Sequence, residues 1–284
     1  MKTVLVTGAN GQLGQCIQKI RHQFTDISFQ FKSSSELDIT NAKAIHDYFE
    51  NNTIDYCVNC AAYTNVELAE SEEEKAYLVN AAAAKLLAET CKKHHTTLIH
   101  ISTDYVFDGK KQTPYVETDI TNPISVYGAS KLKGEQYIQE TFQNYFIIRT
   151  SWLYAEFGNN FYKTMLRKVA EKANLTITTE QKGTPTNAND LAELVVAIIK
   201  TDTKDFGVYH FSNEGEATWY DFTKEIIQNL NLAEAEKPSL RSIDSYKTKA
   251  ARPDNSVLDK TKVRNLIKTI SWQESLRNLM KNHS

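Results

Sequence analysis

Tyr127 and Lys131 stand four positions apart in the segment Val126-Tyr-Gly-Ala-Ser-Lys131, which is predicted to be helical. This spacing places both side chains on one face of a helix. A phenol with an ordinary pKa near ~10 is a poor acid or base at neutral pH unless a fixed cation stabilises the phenolate. Lys131 is placed to be that cation. An isolated Tyr-x-x-x-Lys is usually an ordinary surface pair, so the interpretation depends on two further segments.

The N-terminal segment is the first of these. The apolar run Lys2–Thr7 leads into Gly8-Ala-Asn-Gly-Gln-Leu-Gly14, and an amphipathic helix is predicted over 12–21. Glycine allows a tight turn and close approach of the backbone, and a helix N-terminus offers free N–H groups to a pyrophosphate. The spacing differs from the dinucleotide fingerprint Gly-x-Gly-x-x-Gly. Because a strand precedes the loop and a helix comes after it, dinucleotide binding is favoured over a simple strand cap.

The second segment is Thr97-Leu-Ile-His-Ile-Ser-Thr103, a predicted strand that ends in two hydroxyl residues. In an open parallel sheet, ligands bind beyond the carboxyl ends of the strands, so these hydroxyls are expected to face the same crevice as the glycine loop. Adjacent strand residues point to opposite sides. Only one of Ser102 and Thr103 is therefore expected to face a substrate.

A hydroxyl residue, a tyrosine and a lysine in this order, behind a Gly-x-x-Gly-x-x-Gly loop, resemble the extended short-chain dehydrogenase/reductase family. The resemblance covers nearly the whole chain and is closest to those reductases of the family that act on 4-keto-6-deoxy sugars carried by dTDP. The matching segments are residues 8–14, 59–64, 102–107, 127–131, 149–154, 158–161 and 251–256. Their order and spacing together carry the resemblance, since no single segment is decisive.

The resemblance implies a mechanism in which hydride moves from a nicotinamide to C4 of the sugar and Tyr127 donates a proton. Lys131 lowers the pKa of the tyrosine and holds the nicotinamide ribose, and Thr103 hydrogen-bonds the carbonyl oxygen. The residues assigned to the cofactor are Gly8, Asn10, Gly11, Gln12, Leu13, Gly14, Lys32, Ser33, Asp38, Ile39, Ala61, Ala62, Tyr63, Thr64, Tyr127 and Lys131. The residues assigned to the dTDP-sugar substrate are Thr103, Asp104, Trp152, Asn160 and Arg252.

The phosphate state of the cofactor depends on the residues just after the second predicted strand, where NAD sites usually place a carboxylate on the ribose hydroxyls. Here the residues are Lys32-Ser-Ser-Ser35, with Glu36 close by. A lysine and hydroxyls can hold a 2′-phosphate, and no acid stands at that position to repel it. The sequence therefore favours NADPH, with NADH as the alternative.

Two classes of alternative function remain. Sugar-nucleotide 4-epimerases and 4,6-dehydratases share the fold, the cofactor loop and the tyrosine pair, but dehydratases have Asp-Glu directly after the threonine. This chain has Asp104-Tyr105 at that place. The other class is a non-catalytic nucleotide-binding regulatory subunit, and the intact catalytic residues and Arg252 argue against it.

Apolar strands alternate with helical segments, which predicts an α/β protein with a Rossmann-type doubly wound parallel sheet. Strands are predicted at 2–7, 27–31, 54–62, 97–103 and 145–151, and helices near 12–21, 41–50, 72–93 and 128–141. After Trp152 the pattern predicts helices near 160–172, 189–200, 218–230 and 272–281 and strands at 175–179 and 208–212. We expect residues 1–151 with roughly 187–212 to form the dinucleotide-binding domain, and 152–186 with 213–284 to form a smaller C-terminal substrate-binding lobe.

Composition agrees with a cytoplasmic enzyme. The 284 residues suit a large α/β unit with a smaller lobe, and a net charge of −2 provides no electrostatic footprint for nucleic acid. No apolar run approaches the ~18 residues of a membrane span, and the N-terminus carries no signal-peptide pattern. We therefore expect a protein that binds neither nucleic acid nor a membrane.

No metal site is predicted. Cys57 and Cys60 form a Cys-x-x-Cys, but their odd separation in a predicted strand puts them on opposite faces, as buried thiols. The seven histidines show no metal-binding spacing. Some family members are dimers bridged by magnesium through glutamates, whereas Gln15-Cys16 here supply no carboxylate. The sequence therefore does not support magnesium, and a homodimer stays open.

Overall fold

The computed structural model describes residues 1–233 and 237–281, and a six-stranded sheet lies at its centre. Its strands are β1 (Lys2–Thr7), β2 (Ile27–Lys32), β3 (Tyr56–Asn59), β4 (Thr97–Thr103), β5 (Tyr145–Thr150) and β10 (Gly207–Phe211). They lie in the order β10-β5-β4-β3-β1-β2, and every neighbouring pair is parallel. The predicted parallel sheet is confirmed.

Helices cover both faces of this sheet, which explains why its strands are apolar along most of their length. The first face carries α1 (Gln12–Ile20) and α8 (Ala188–Thr201), and the second carries α2 (Ala42–Asn51), α5 (Ala83–Lys93) and α6 (Val126–Thr141). Successive residues of β1 show the alternation. Val4 and Val6 pack on the first face, and Leu5 packs on the second.

The helix predicted near 72–93 forms as three joined pieces: α4 (Glu73–Tyr77), a π-helical turn over Leu78–Ala82, and α5. The turn holds the buried Asn80, whose amide bridges two other segments. Its Oδ1 accepts from the N–H of Tyr63 at 2.9 Å, and its Nδ2 donates to Oγ of Ser130 at 3.0 Å. The turn thereby ties the chain after β3 to the start of α6, in keeping with the frequent use of π-turns beside functional sites.

The C-terminal segments pack around a second apolar core, which contains the buried Tyr154, Met165, Phe222 and Leu276. Its helices are α7 (Phe161–Ala170), α9 (Trp219–Asn229) and α10 (Trp272–Lys281), close to their predicted positions. The remaining elements are α3 (Val66–Ala69), β6 (Leu153–Tyr154), β7 (Leu175–Thr178), β8 (Lys182–Gly183), β9 (Thr186–Asn187), β11 (Ala217–Thr218) and β12 (Leu240–Ile243). The division into two domains stays a prediction.

Two strand predictions need correction. The strand predicted over 54–62 is wrong at its C-terminal end, because β3 stops at Asn59 and the next residues leave the sheet. The strand β12, which pairs with β7, was not foreseen. Cys57 is buried against the second face and the half-buried Cys60 lies against the first, and both thiols are free. In the part of the chain that the structure describes, no helix has the length and apolarity to cross a membrane.

Candidate active site

A cleft of about 880 Å³ lies at the carboxyl ends of the central strands. Its lining comes from the glycine loop, from the chain just after β2, β3 and β4, from the first turns of α6 and from parts of the C-terminal half. Parallel sheets bind ligands at this edge, because the strand ends and helix N-termini converge there. We therefore expect the predicted site residues to lie in this cleft.

Most of the predicted site residues meet in this cleft. Those that line it are Gly8, Asn10, Gly11, Gln12, Leu13, Ser33, Asp38, Ile39, Ala61, Ala62, Tyr63, Thr64, Thr103, Asp104, Tyr127, Lys131, Trp152, Asn160 and Arg252. Gly14 lies behind the loop, where a Cβ would stand 2.6 Å from the carbonyl oxygen of Gly8. The ammonium of Lys32 lies 5.5 Å above the centre of the Tyr48 ring. Gly14 and Lys32 were predicted to contact the cofactor, but the structure places both beside the cleft lining.

The glycine loop has the close backbone approach that a dinucleotide requires. Gly8 has a φ of +65°, and a Cβ there would stand 2.6 Å from the backbone nitrogen of Ala61. Gly11 donates its N–H to the carbonyl of Gly8 at 2.9 Å and stands directly before α1. Since glycine has no side chain to accept from the first N–H groups of α1, those groups are left for a ligand. The loop fits a pyrophosphate.

After β2, the carboxylate of Glu36 folds back onto Ser33. It accepts from the Ser33 N–H at 2.9 Å and from the Ser33 hydroxyl at 2.6 Å. These bonds hold the pKa of Glu36 below its usual value. Ser33 and Ser34 line the cleft, so the rim next to β2 presents hydroxyls with a carboxylate close behind them.

Tyr127 is positioned by the start of α6, where the Ser125 hydroxyl accepts from the N–H of Gly128 at 3.2 Å. Burial raises the pKa of Tyr127 well above its usual value, and a hydrogen bond with the Thr103 side chain opposes that rise. The predicted lowering of this pKa is therefore wrong. A phenol is protonated at neutral pH even at its ordinary pKa, so the raised pKa makes Tyr127 a weaker acid, and a cation that stabilises the phenolate is needed for it to donate.

Lys131 is 2 % exposed and turns toward the sheet. Its Nζ donates to the carbonyl oxygen of Ile101 at 2.6 Å and lies 3.3 Å from Nε2 of His100. Burial lowers the pKa of Lys131 to about 8, against an opposing effect of Glu135 and Cys60. The lysine is therefore close to its own titration point near neutral pH, unlike an exposed lysine.

The two hydroxyls at the end of β4 have different partners, although both residues line the cleft and only one was expected to face it. The Ser102 hydroxyl donates to the buried carboxylate of Glu135 on α6. The Thr103 hydroxyl donates to Asp104 at 3.0 Å and accepts from the N–H of Tyr105 at 3.2 Å. Burial raises the pKa of Asp104 to about 6. Thr103, Asp104 and Tyr127 thus form one polar group in the cleft.

A stacked indole pair forms the wall on the side of the C-terminal half. Trp152 and Trp219 are parallel within 6°, with ring centroids 3.7 Å apart, and both line the cleft. Trp152 has a φ of +46°, a conformation that non-glycine residues rarely adopt and that is concentrated at functional sites. Sequence reasoning found Trp152 but missed Trp219, since no motif surrounds Trp219 and the pair is far apart in the chain.

Arg252 reaches the cleft already bound to protein groups. Its guanidinium donates to Glu67 at 2.6 Å and to the hydroxyl of Tyr105 at 3.1 Å. The ring of Tyr105 in turn meets that of Tyr127 edge-on, with centroids 5.6 Å apart. The sequence assigns Arg252 to the substrate, and its geometry combines an ion pair with a position in the cleft wall.

Asn160 lines the cleft and is also the N-cap of α7, where its Oδ1 accepts from the N–H of Lys163 at 3.0 Å. Its Nδ2 donates to Gln12 of the glycine loop and to the carbonyl of Ala155, each at 2.8 Å. These bonds link α7 to the glycine loop. A nucleotide contact by Asn160 would have to replace one of them.

Comparison with known proteins places this arrangement in a family. The family model described as RmlD substrate binding domain matches residues 1–284. The dTDP-4-dehydrorhamnose reductase of Aggregatibacter actinomycetemcomitans is 38% identical, over 98% of each chain. A Streptomyces antibioticus protein named as a probable dTDP-4,6-dihydroxy-2-methyloxan-3-one 4-ketoreductase is 35% identical, over 96% of this chain and 92% of its own.

A solved relative extends the likeness to three dimensions. The dTDP-4-dehydrorhamnose reductase of Bacillus anthracis, crystallised in complex with NADP, is 36% identical and has a TM-score of 0.93. The match covers 99% of this chain and 100% of that one. Sequence and fold therefore agree over the whole length, and the chain belongs to the family defined by the RmlD substrate binding domain.

Proposed function

We propose that this protein reduces the C4 ketone of dTDP-4-dehydro-β-L-rhamnose to give dTDP-L-rhamnose, with NADPH as the reductant. The observation that carries the proposal is the joining of three features in one cleft: the glycine loop, the Thr103–Tyr127–Lys131 group, and the wall with Arg252 and the indole pair. Relatives named as dTDP-4-dehydrorhamnose reductases along the full length support the choice of substrate.

The cofactor assignment rests on the glycine loop and the rim after β2. The free N–H groups at the start of α1 suit the pyrophosphate, and the hydroxyl of Ser34 suits a 2′-phosphate, whereas the Ser33 hydroxyl donates to Glu36. The solved relative in complex with NADP supports the same choice. The carboxylate of Glu36, held behind Ser33, keeps NADH as the second cofactor to be measured.

When bound, the nicotinamide supplies the hydride. Residues of this chain hydrogen-bond and protonate the oxygen at C4 of the sugar. Tyr127, a protonated phenol at neutral pH, gives its proton to that oxygen as negative charge develops on it. Thr103 donates a hydrogen bond to the same oxygen. Lys131 holds the nicotinamide ribose and is the cation assigned to stabilise the phenolate of Tyr127.

The substrate assignment is based on the cleft wall. Asp104 accepts hydrogen bonds from hydroxyl groups of the sugar, and the face of Trp152 packs against the apolar side of the sugar ring. Arg252 binds the diphosphate, for which its planar fork of donors is suited, and Asn160 lies toward the nucleotide. Residues 152–186 and 213–284 then form the substrate lobe over a dinucleotide-binding domain of residues 1–151 and 187–212. We propose that the enzyme works in the cytoplasm.

The position of reduction can be tested with NADPH that carries deuterium at the transferred hydrogen. Incubation with dTDP-4-dehydro-β-L-rhamnose should consume one NADPH per sugar and leave deuterium at C4 of the product, as seen by NMR. A 4-epimerase would recycle its cofactor and consume none. Product without deuterium at C4, or no net oxidation of NADPH, would contradict the proposal.

A second candidate is reduction of another dTDP-linked keto sugar. It is favoured by the 35% identity to the Streptomyces ketoreductase, which spans 92% of that protein. Comparison of kcat/KM for the two dTDP-sugars with one enzyme preparation distinguishes the candidates, and the better substrate is the one that the cleft selects.

A further inference from the structure

A row of buried polar side chains crosses the sheet beneath Lys131. Thr7, Asn59 and His100 are register partners on β1, β3 and β4, so they project from the same face of the sheet. That face is the one covered by α6, and Lys131 closes the row. None of these four side chains is more than 2 % exposed. Buried polar groups must satisfy one another, so the direction of each hydrogen bond can be worked out along the row.

The direction is set at Asn59. Its Oδ1 accepts from the Thr7 hydroxyl at 2.7 Å and from the backbone N–H of Ala61 at 3.2 Å. Because a backbone N–H can only donate, this second contact fixes which end of the Asn59 side chain is the oxygen. The Nδ2 group of Asn59 therefore faces Nδ1 of His100, at 3.1 Å.

The tautomer of His100 is determined by this contact. An amide N–H that points at Nδ1 requires an acceptor there, so Nδ1 carries the lone pair of the ring. Burial, with Lys131 nearby, keeps the pKa of His100 well below its usual value, and the ring is neutral. Its single proton is then on Nε2, which lies 3.3 Å from Nζ of Lys131. The N–H of the imidazole points at the lysine nitrogen.

An N–H in this position opposes the ammonium form of Lys131 and stabilises the neutral amine, whose lone pair can accept the hydrogen bond. The charged form is favoured by Glu135 on α6, whereas burial raises the pKa of the Cys60 thiol and keeps it neutral. Glu135 already has a partner in Arg149, at 2.7 Å. The two forms of the lysine are therefore closely balanced.

We propose that Asn59 and His100 are positioning residues for Lys131: the fixed Nε2–H of His100 faces the lysine nitrogen and favours its neutral amine. The neutral amine can accept the hydrogen bond from Nε2–H of His100, whereas the ammonium, which has only donors, cannot. A role of the His100–Lys131 contact in catalysis rests on the proposed function, whereas the tautomer of His100 does not.

His210 supplies an internal control for the tautomer. It is also buried, and burial lowers its pKa to about 3. Its Nδ1 lies 3.0 Å from the backbone carbonyl oxygen of Tyr115, and its Nε2 lies 3.4 Å from a guanidinium nitrogen of Arg149. A carbonyl can only accept, so Nδ1 of His210 carries the proton. The two buried rings should therefore have opposite tautomers.

The tautomers can be read by NMR of the full-length protein labelled with ¹⁵N at histidine. We expect two rings that do not titrate through the neutral range, one protonated at Nε2 and one at Nδ1. His210→Gln should remove the Nδ1–H ring and leave the other. A His100 ring that titrates, or that is protonated at Nδ1, would overturn the proposal. This readout needs no activity, so it stays separate from the test of the reductase function.

Kinetics give the second test. His100→Phe keeps a flat ring without a donor, so the alkaline limb of the kcat/KM profile, set by Lys131, should move upward by about 1 pH unit. A downward shift would mean that His100 accepts from the ammonium, which is the opposite of the proposal. If this variant does not fold, Asn59→Asp serves instead, because its carboxylate accepts from Nδ1–H. An unchanged His100 tautomer in that variant would also refute the argument.

Discussion

Arg252 and Glu67 form an ion pair, and substitution of its two partners should change KM for the dTDP-sugar in opposite directions. A diphosphate that binds Arg252 must compete with the Glu67 carboxylate, which lies 2.6 Å from the guanidinium. Glu67→Gln removes that competing charge. Its amide oxygen can still accept from the N–H groups of Lys249 and Ala250, which now donate to Glu67 at 2.8 and 3.3 Å. The segment that carries Arg252 should therefore stay in place.

The expected magnitudes differ for the two variants. The side chains of Arg252 and Glu67 are 23% and 39% exposed, so solvent screens the pair and its attraction is about 0–1 kcal/mol. Glu67→Gln should thus lower KM for the dTDP-sugar by at most about 5-fold. Arg252→Ala removes a charged contact to the diphosphate, worth about 2–4 kcal/mol, and should raise KM by roughly 30-fold to several hundred-fold.

Steady-state kinetics with the dTDP-sugar, together with fluorescence titration of NADPH, test this pair of variants. NADPH affinity should be unchanged in both, because neither residue is assigned to the cofactor. A raised KM in Glu67→Gln would show that the carboxylate helps to bind the substrate. An equal loss of both ligands in Arg252→Ala would place the arginine in the stability of the fold.

Tyr127→Phe removes the proton donor but keeps the ring, so turnover should fall by roughly 10²–10⁴ while cofactor titrations stay the same; wild-type turnover would exclude the assignment. NADPH should be used at least as well as NADH, and Lys32→Asp should reverse that ranking in kcat/KM; an unchanged ratio would show that Lys32 serves only to pack on Tyr48. Arg149→Met removes the salt-bridge partner of the buried Glu135 carboxylate and should cost about 3–5 kcal/mol in urea unfolding. The exposed ion pair between Lys43 and Asp47 supplies the control, since Lys43→Met should change the free energy of unfolding by less than about 1 kcal/mol.

The sheet could be predicted from the sequence because both of its faces are buried. Such strands read as apolar runs, as in Val4-Leu-Val6, and turn residues separate them from amphipathic helices. The Tyr127–Lys131 pair was equally accessible, because its four-residue spacing has a fixed meaning on a helix. The strand end at Asn59 was missed, since the apolar pattern continues through Cys60 while the chain turns away to line the cleft.

Contacts between distant segments could not be predicted in this way. Glu67 and Arg252 meet although they are 185 positions apart in the chain, and Trp152 stacks on Trp219 from another element of the fold. Neither residue type nor local spacing encodes such pairs, because both depend on how the C-terminal segments return to the cleft. The pKa of Tyr127 depends on the fold in the same way. Burial raises it, although the sequence places a lysine one helical turn away.

Reduction of a dTDP-linked keto sugar through Tyr127 can be tested by one comparison of rates. The loss of NADPH absorbance is measured after dTDP-4-dehydro-β-L-rhamnose is added to the wild-type protein and to Tyr127→Phe. We expect steady oxidation of NADPH by the wild type that depends on the sugar, and roughly 10²–10⁴-fold slower oxidation by the variant. No oxidation by the wild type, or equal rates for the two proteins, would contradict the proposed reaction.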